Sequence, residues 1–215
     1  MERRITPELL DHLEVTHGDA IASRRDLDVL NRLMGNYRWF ERQVIRHAPD
    51  NANFLEIGAG NDRLARRLLK TGPIGSYRAI DRVACPPDWP REWTWQRCDI
   101  AEVDDFGRCD VLLANLVLHH FDDTRLRAIG EALNRSPVKV FLANEPARRK
   151  RHLWQLKLTP LLRFHPVTHH DSHASVRAGF LGTELPEALG LDPARWHISV
   201  RTGFLGAYRV CALRR

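Results

Sequence analysis

The chain is short of several things, and each shortage narrows what it can be. Its 215 residues include only four cysteines, Cys85, Cys98, Cys109 and Cys211. None stands at a paired spacing, which excludes a disulfide frame or zinc ribbon and fits reduced thiols in a cytoplasmic protein. No apolar run approaches the ~20 residues of a membrane span. Met1-Glu2-Arg3-Arg4 is not followed by an apolar stretch, so a secretory signal is not expected. Lysine is scarce: Lys70, Lys139, Lys150 and Lys157 are the only ones, and arginine supplies most of the net charge of +6. Apart from Arg148-Arg149-Lys150-Arg151 the basic residues are dispersed, so nucleic acid is not the expected partner. No internal repeat or low-complexity tract is visible. What remains is an ordinary globular composition, long enough for one domain with a full core.

The stretch Asn53-Phe54-Leu55-Glu56-Ile57-Gly58-Ala59-Gly60-Asn61-Asp62-Arg63-Leu64 organises the rest. A short apolar run, two glycines one residue apart and a charged amphipathic segment read as strand, tight turn and helix. Gly58 and Gly60 permit positive φ and a close backbone approach by a ligand. A dinucleotide fingerprint would carry a third glycine where Arg63 stands. Glu56, just before the turn, would repel a pyrophosphate and attract a cation.

Residues 1 to about 50 read as a helical cap preceding the sheet. Thr6-Pro7 opens a helix, Leu27, Leu30, Leu33 and Met34 recur at helical spacing, and a further helix begins at Tyr37. From residue 51 strands and helices alternate. Strand one leads to a helix from Asn61 or Asp62 to about Lys70, and strand two is Tyr77–Ile80. It ends at Asp81, placed as an acid that accepts both hydroxyls of a ribose about 20 residues beyond the turn. Cys85 to Pro90 is a rigid connector, too rich in proline for a long helix. Strand three is Trp93–Arg97, followed by Asp99 and Ile100. Strand four, Val111–Leu118, is the strongest and runs into His119-His120-Phe121. Strand five, Val138–Ala143, leads to Asn144-Glu145-Pro146. A basic helix from about Arg148 to Phe164 and an irregular loop, His165 to His173, follow. Then come a short helix, Glu184 to Leu189, and a closing hairpin, Trp196–Arg201 with Tyr208–Leu213.

Such alternation implies a Rossmann-like, doubly wound, mostly parallel seven-stranded sheet with a C-terminal antiparallel hairpin and an N-terminal helical cap. Its ligand crevice lies at the carboxyl ends of the strands. Glu56, Asp81, Asp99, Asn115, His119, His120 and Glu145 all fall there, which is the main ground for grouping them in one site. The expected division is a cap over 1–50 and a main domain over 51–215, with a lid insertion at about 148–180.

The E-x-G-x-G-N form of Glu56 to Asn61 resembles the first motif of class I S-adenosylmethionine-dependent methyltransferases. Asn115 to Asp123 is similar to the fourth-strand motif of small-molecule methyltransferases. His170-Asp171, Ser175-Val176-Arg177 and Phe180 resemble a stretch of bacterial methyltransferases encoded beside type III polyketide synthases, relatives of quinone-biosynthesis methyltransferases. The resemblance implies S-adenosyl-L-methionine as cofactor and O-methylation of a phenolic or polyketide-like small molecule in secondary metabolism. It places Glu56, Gly58, Gly60, Asn61, Asp81, Arg82, Asp99, Ile100, Asn115 and Leu116 around the cofactor. His170, Asp171 and Arg177 go to the acceptor. In direct methyl transfer the protein mainly positions two reactants and removes the acceptor's proton. His119 and His120 are candidate bases, with Glu145 as an orienting group or second base. No metal is expected: the histidines between His165 and His173 lack a convincing further ligand. An RNA-directed methyltransferase using Arg148 to Arg151 and a non-catalytic cofactor-binding module remain alternatives. Acceptor identity and oligomeric state stay open.

Overall fold

A computed structural model describes residues 1–103, 105–157 and 163–215. Seven strands form one sheet: β1 Asn53–Ile57, β2 Ser76–Asp81, β3 Thr94–Arg97, β4 Val111–Asn115, β5 Val140–Pro146, β6 Trp196–Thr202 and β7 Ala207–Arg214. Their order is β3-β2-β1-β4-β5-β7-β6. The first five pair in parallel, and β7 runs antiparallel to both β5 and β6. The strand order reverses between β1 and β4, the switch point where a doubly wound sheet opens a crevice.

The central strands are apolar on both faces, as a sheet covered on both sides requires. Leu55, Ile57, Leu112 and Ala114 pack on one side with helix α4, Asp123–Arg135. Phe54, Leu113 and Leu142 pack on the other with α2, Asn36–His47, and α3, Arg63–Leu68. Asp122 caps α4 by accepting the Arg125 N–H at 2.8 Å. The remaining helices are α1, Gly18–Leu33, α5, Lys150–Leu156, α6, Pro166–Ala178, and α7, Glu184–Ala188.

Several sequence expectations need correction. Thr6-Pro7 opens no α-helix; only a 3-10 turn at Leu9–His12 follows. The leucine stripe of α1 is not its buried face, which consists of Ala20, Ser23, Asp28 and Asn31. The helix after the glycine turn is shorter than expected, Arg63–Leu68. β4 stops at Asn115: Leu116 adopts φ 57°, and a 3-10 turn carries Leu118–His120. The stretch expected as an irregular loop, His165 to His173, lies mostly in α6. Pro166 fits the first helical turn, and His165 caps it by accepting the Val167 N–H. The basic helix is α5 alone as far as it is described, and residues 158–162 of the expected span lie outside the described residues.

Candidate functional site

Strand β1 delivers the glycine turn to the switch point. Gly58 has φ 67°, and a Cβ there would lie 2.4 Å from a Val117 methyl carbon, so both the conformation and the space require glycine. Gly60 has φ 61° and open space above it, room for a ligand at the backbone. Asp81, ending β2, accepts the Gly60 N–H at 2.7 Å and the Val83 N–H at 2.9 Å. The acid expected on a ribose thus touches the glycine turn directly. Asn61 accepts the Arg63 N–H at 2.9 Å and so starts α3. Asp99 is half-buried at the end of β3, and Ile100 is buried in the core beside it.

Glu56 is buried and accepts the Tyr77 hydroxyl at 2.6 Å. Burial raises its pKa to about 8; the Tyr77 bond opposes this, and the charges of Asp81 and Asp62 add to it. Asp81 and Asp62 stand near Glu56, and Asp62 is paired with Arg66; an ammonium bound there would favour the ionised form of Glu56, whereas a phosphate would meet acids.

At the β4–β5 end the key group is Glu145. One carboxylate oxygen accepts the N–H groups of Val117 and Leu118, at 3.1 and 2.9 Å. The other accepts the His119 N–H at 3.3 Å and pairs with His119 Nδ1 at 2.7 Å. The His119 Nε2 faces Glu8 at 3.4 Å. Burial works against a charge on His119, yet the bonds to Glu145 and Glu8 win and raise its pKa to about 9. At neutral pH it is an imidazolium between two carboxylates. His120 is more accessible; its Nδ1 lies 3.5 Å from Asp11 and its Nε2 4.0 Å from Glu8.

Sequence reasoning missed the N-terminal segment. Arg3 donates to the carbonyls of Phe121 and Ala178 and lies over the Phe180 ring. Glu8 reaches both histidines and accepts from the Ser175 hydroxyl. Asp11 reaches His120 and also Arg82, just past β2. Residues 3 to 11 therefore cross the mouth of the crevice from the β4–β5 side to the β2 side. The only signal was the pairing of Glu8 and Asp11 with a downstream His-His, which carries no fixed spacing.

The cap closes the crevice from above. Asn31 of α1 accepts from Asn115 at 3.2 Å and from Asn36 at 3.0 Å, and Asn144 donates to Asn115 at 2.9 Å. Asn144 was also missed; its Oδ1 is buried with no partner among the described residues. Asp171 accepts the N–H groups of Leu9 and Leu10 at 2.8 and 2.9 Å and thereby anchors the N-terminal segment. His170 and Arg177 instead line a cleft of about 760 Å³ between α6 and that segment, with Arg4, His169 and His173. The structure thus gathers Glu56, Gly58, Gly60 and Asp81 at one end and Asn115, Leu116, His119, His120 and Glu145 at the other. It leaves His170 and Arg177 on a separate cleft. The Arg148 to Arg151 run is not one basic patch, because Arg148 is buried and paired with Glu184. Among the described residues, one group has metal-ligand proximity, Glu8, His119 and His120.

No protein-family model matches the chain, and no curated protein matches it in sequence. Solved structures do match it in shape. The plantazolicin methyltransferase BpumL, in complex with a triazolic desmethylPZN analog and SAH, superposes with TM-score 0.71 at 10% identity, over 92% of this chain and 90% of that one. The N-methyltransferase NodS from Bradyrhizobium japonicum WM9, in complex with S-adenosyl-L-homocysteine, gives 0.62 at 13% identity, over 96% of each chain. Magnesium protoporphyrin IX methyltransferase (ChlM) from Synechocystis PCC 6803, with bound SAH, gives 0.55 at 12% identity, over 85% and 83%. At such identities the likeness establishes the fold, a seven-stranded methyltransferase-type sheet with its antiparallel hairpin.

Proposed function

We propose that the protein is an S-adenosyl-L-methionine-dependent methyltransferase that O-methylates a small phenolic or polyketide-like acceptor. The observation that carries this reading is the acidic crevice head. Glu56, Asp81 and Asp62 stand around a Gly58–Gly60 turn whose third glycine position is Arg63. The donor set fits this cofactor, which brings an ammonium, a sulfonium and a ribose diol but no phosphate. The structural neighbours crystallised with its demethylated product add support at the level of fold.

In this reading Glu56 faces the amino group, Asp81 the ribose hydroxyls, and Asp99 with Ile100 the adenine. Asn61, Arg82, Asn115 and Leu116 complete the wall. When bound, the cofactor supplies a methyl already activated on sulfur. The chain's task is then to align the acceptor and remove its proton. His120 takes that proton at Nε2, and Asp11 beside Nδ1 stabilises the resulting imidazolium. His119 is already charged and cannot serve as the base. Held by Glu145 and Glu8, it fixes the turn that carries His120. The N-terminal segment shields the crevice from water.

The test is methyl transfer from methyl-labelled S-adenosylmethionine to a panel of phenols and pyrones, read by mass spectrometry. Label on a phenolic oxygen is the expected product. Label on nitrogen or carbon, or none on any acceptor, overturns the O-methylation reading.

A further inference from the structure

We propose that the groove between α2 and the outer face of the β6–β7 hairpin binds single-stranded nucleic acid. It measures about 810 Å³. The register pairs His197 with Leu213, Ser199 with Cys211 and Arg201 with Arg209. Those pairs line it, with Cys211 and Leu213 packed against the α2-side core, while Ile198, Val200, Val210 and Ala212 of the same strands pack in the core on the opposite face.

The charged side chains that line the groove are cations alone. Arg42 and Arg46 of α2 line it together with Arg201 and Arg209 of the hairpin, and no acid lines it. The guanidinium groups of Arg42, Arg46 and Arg201 have no hydrogen-bond or ion-pair partner among the described residues. Arg209 donates to the Met34 carbonyl and to Asn36, yet its Nε is buried without a partner. The cations also work against one another. Burial and then Arg42 lower the pKa of Arg209; burial, Arg46 and His197 lower that of His47.

The layout favours a chain of phosphates over a single one. From the 197–213 pair to the 201–209 pair is four residue steps, roughly 13 Å at the ordinary strand rise. Arg46 stands toward one end, near His197, and Arg42, Arg201 and Arg209 toward the other. The charge is therefore strung along a line. Trp39, with Arg209 at 5.7 Å from its ring centre, and the exposed Ile45 offer apolar surface beside that line. A cationic track flanked by aromatic and apolar side chains is the arrangement that holds unpaired bases without reading their sequence. Such binding needs no cofactor in the crevice.

Fluorescence anisotropy of a short labelled oligouridylate tests it. Binding is expected to weaken with salt at a log–log slope of about −2 to −3, near −0.7 for each of three or four phosphate contacts. The double substitution Arg42→Glu with Arg201→Glu, at exposed positions, should weaken binding at least about tenfold while circular dichroism stays unchanged. Arg149→Glu with Arg151→Glu makes the same charge change elsewhere and should alter binding little. Absence of binding at low salt, or equal loss in the two double variants, overturns the proposal. Pyrophosphate that binds the groove as tightly as the oligonucleotide also overturns it, and assigns the site to a small phosphorylated ligand.

Discussion

The carboxylate of Glu145 and the Nδ1 of His119 lie 2.7 Å apart in a fully buried pair. The same carboxylate takes three backbone N–H groups of the turn after β4. One side chain therefore ends a strand, shapes the turn and fixes a charge. Glu145→Ala leaves an imidazolium and three amides without their acceptor. It should cost about 3–5 kcal/mol, the range for breaking a buried pair. Urea unfolding checks this, and a loss under about 1 kcal/mol would mean that water replaces the carboxylate.

The pH dependence of stability follows from His119. Its folded pKa, about 9, lies above the unfolded value of 6.5. Stability from its protonation is fully present below about pH 6.5 and is lost as pH rises through about 9. Wild-type protein should therefore lose stability between these values, by no more than ~3 kcal/mol given the coupling to Glu8 and Glu145. His119→Asn should flatten that slope. Denaturant midpoints across the window, wild type against variant, decide it, and parallel curves would reject the charged state of His119.

Glu56 gives a proton signature for ligand binding. With its pKa raised to about 8 by burial, it is largely protonated at pH 7. A bound ammonium should draw it into the ionised form and release close to one proton. Calorimetry at pH 7 in buffers of different ionisation enthalpy reads that proton directly. Glu56→Gln should abolish the buffer dependence; a release that survives the substitution belongs to another group.

His120→Ala should lower turnover by ~10²–10⁴, the usual worth of a general base, with cofactor affinity nearly unchanged. An acidic phenol, already partly ionised, should suffer less than one of high pKa. Wild-type turnover with a high-pKa acceptor would remove His120 from the proton path.

Much of the fold was legible because its signals are local. The apolar runs of β1, β4 and β5, the Gly58–Gly60 turn and the proline-rich connector each declare themselves over a few residues. The early end of β4 was not legible: Val117 and Leu118 look like strand, and only Glu145, far along the chain, pulls their N–H groups off the ladder. α6 was hidden because its histidines and leading proline look like a loop, although proline is at home in a first helical turn. In the crevice, the acids at strand ends followed from topology alone. Glu8, Asp11 and Asn144 did not, since nothing within their own segments says what they face.

Calorimetry with S-adenosylhomocysteine and NAD, on wild type and Asp81→Ala, decides which cofactor the crevice takes. Asp81 bonds the Gly60 N–H, so its loss would disturb the turn and, with it, the ribose contact proposed for this carboxylate. The prediction is that wild type binds S-adenosylhomocysteine and not NAD, and that Asp81→Ala weakens binding by ~1–3 kcal/mol, the range for hydrogen bonds to a charged group. Binding of NAD without S-adenosylhomocysteine would rule out S-adenosyl-L-methionine as the cofactor, and unchanged affinity in a folded Asp81→Ala protein would remove Asp81 from the site.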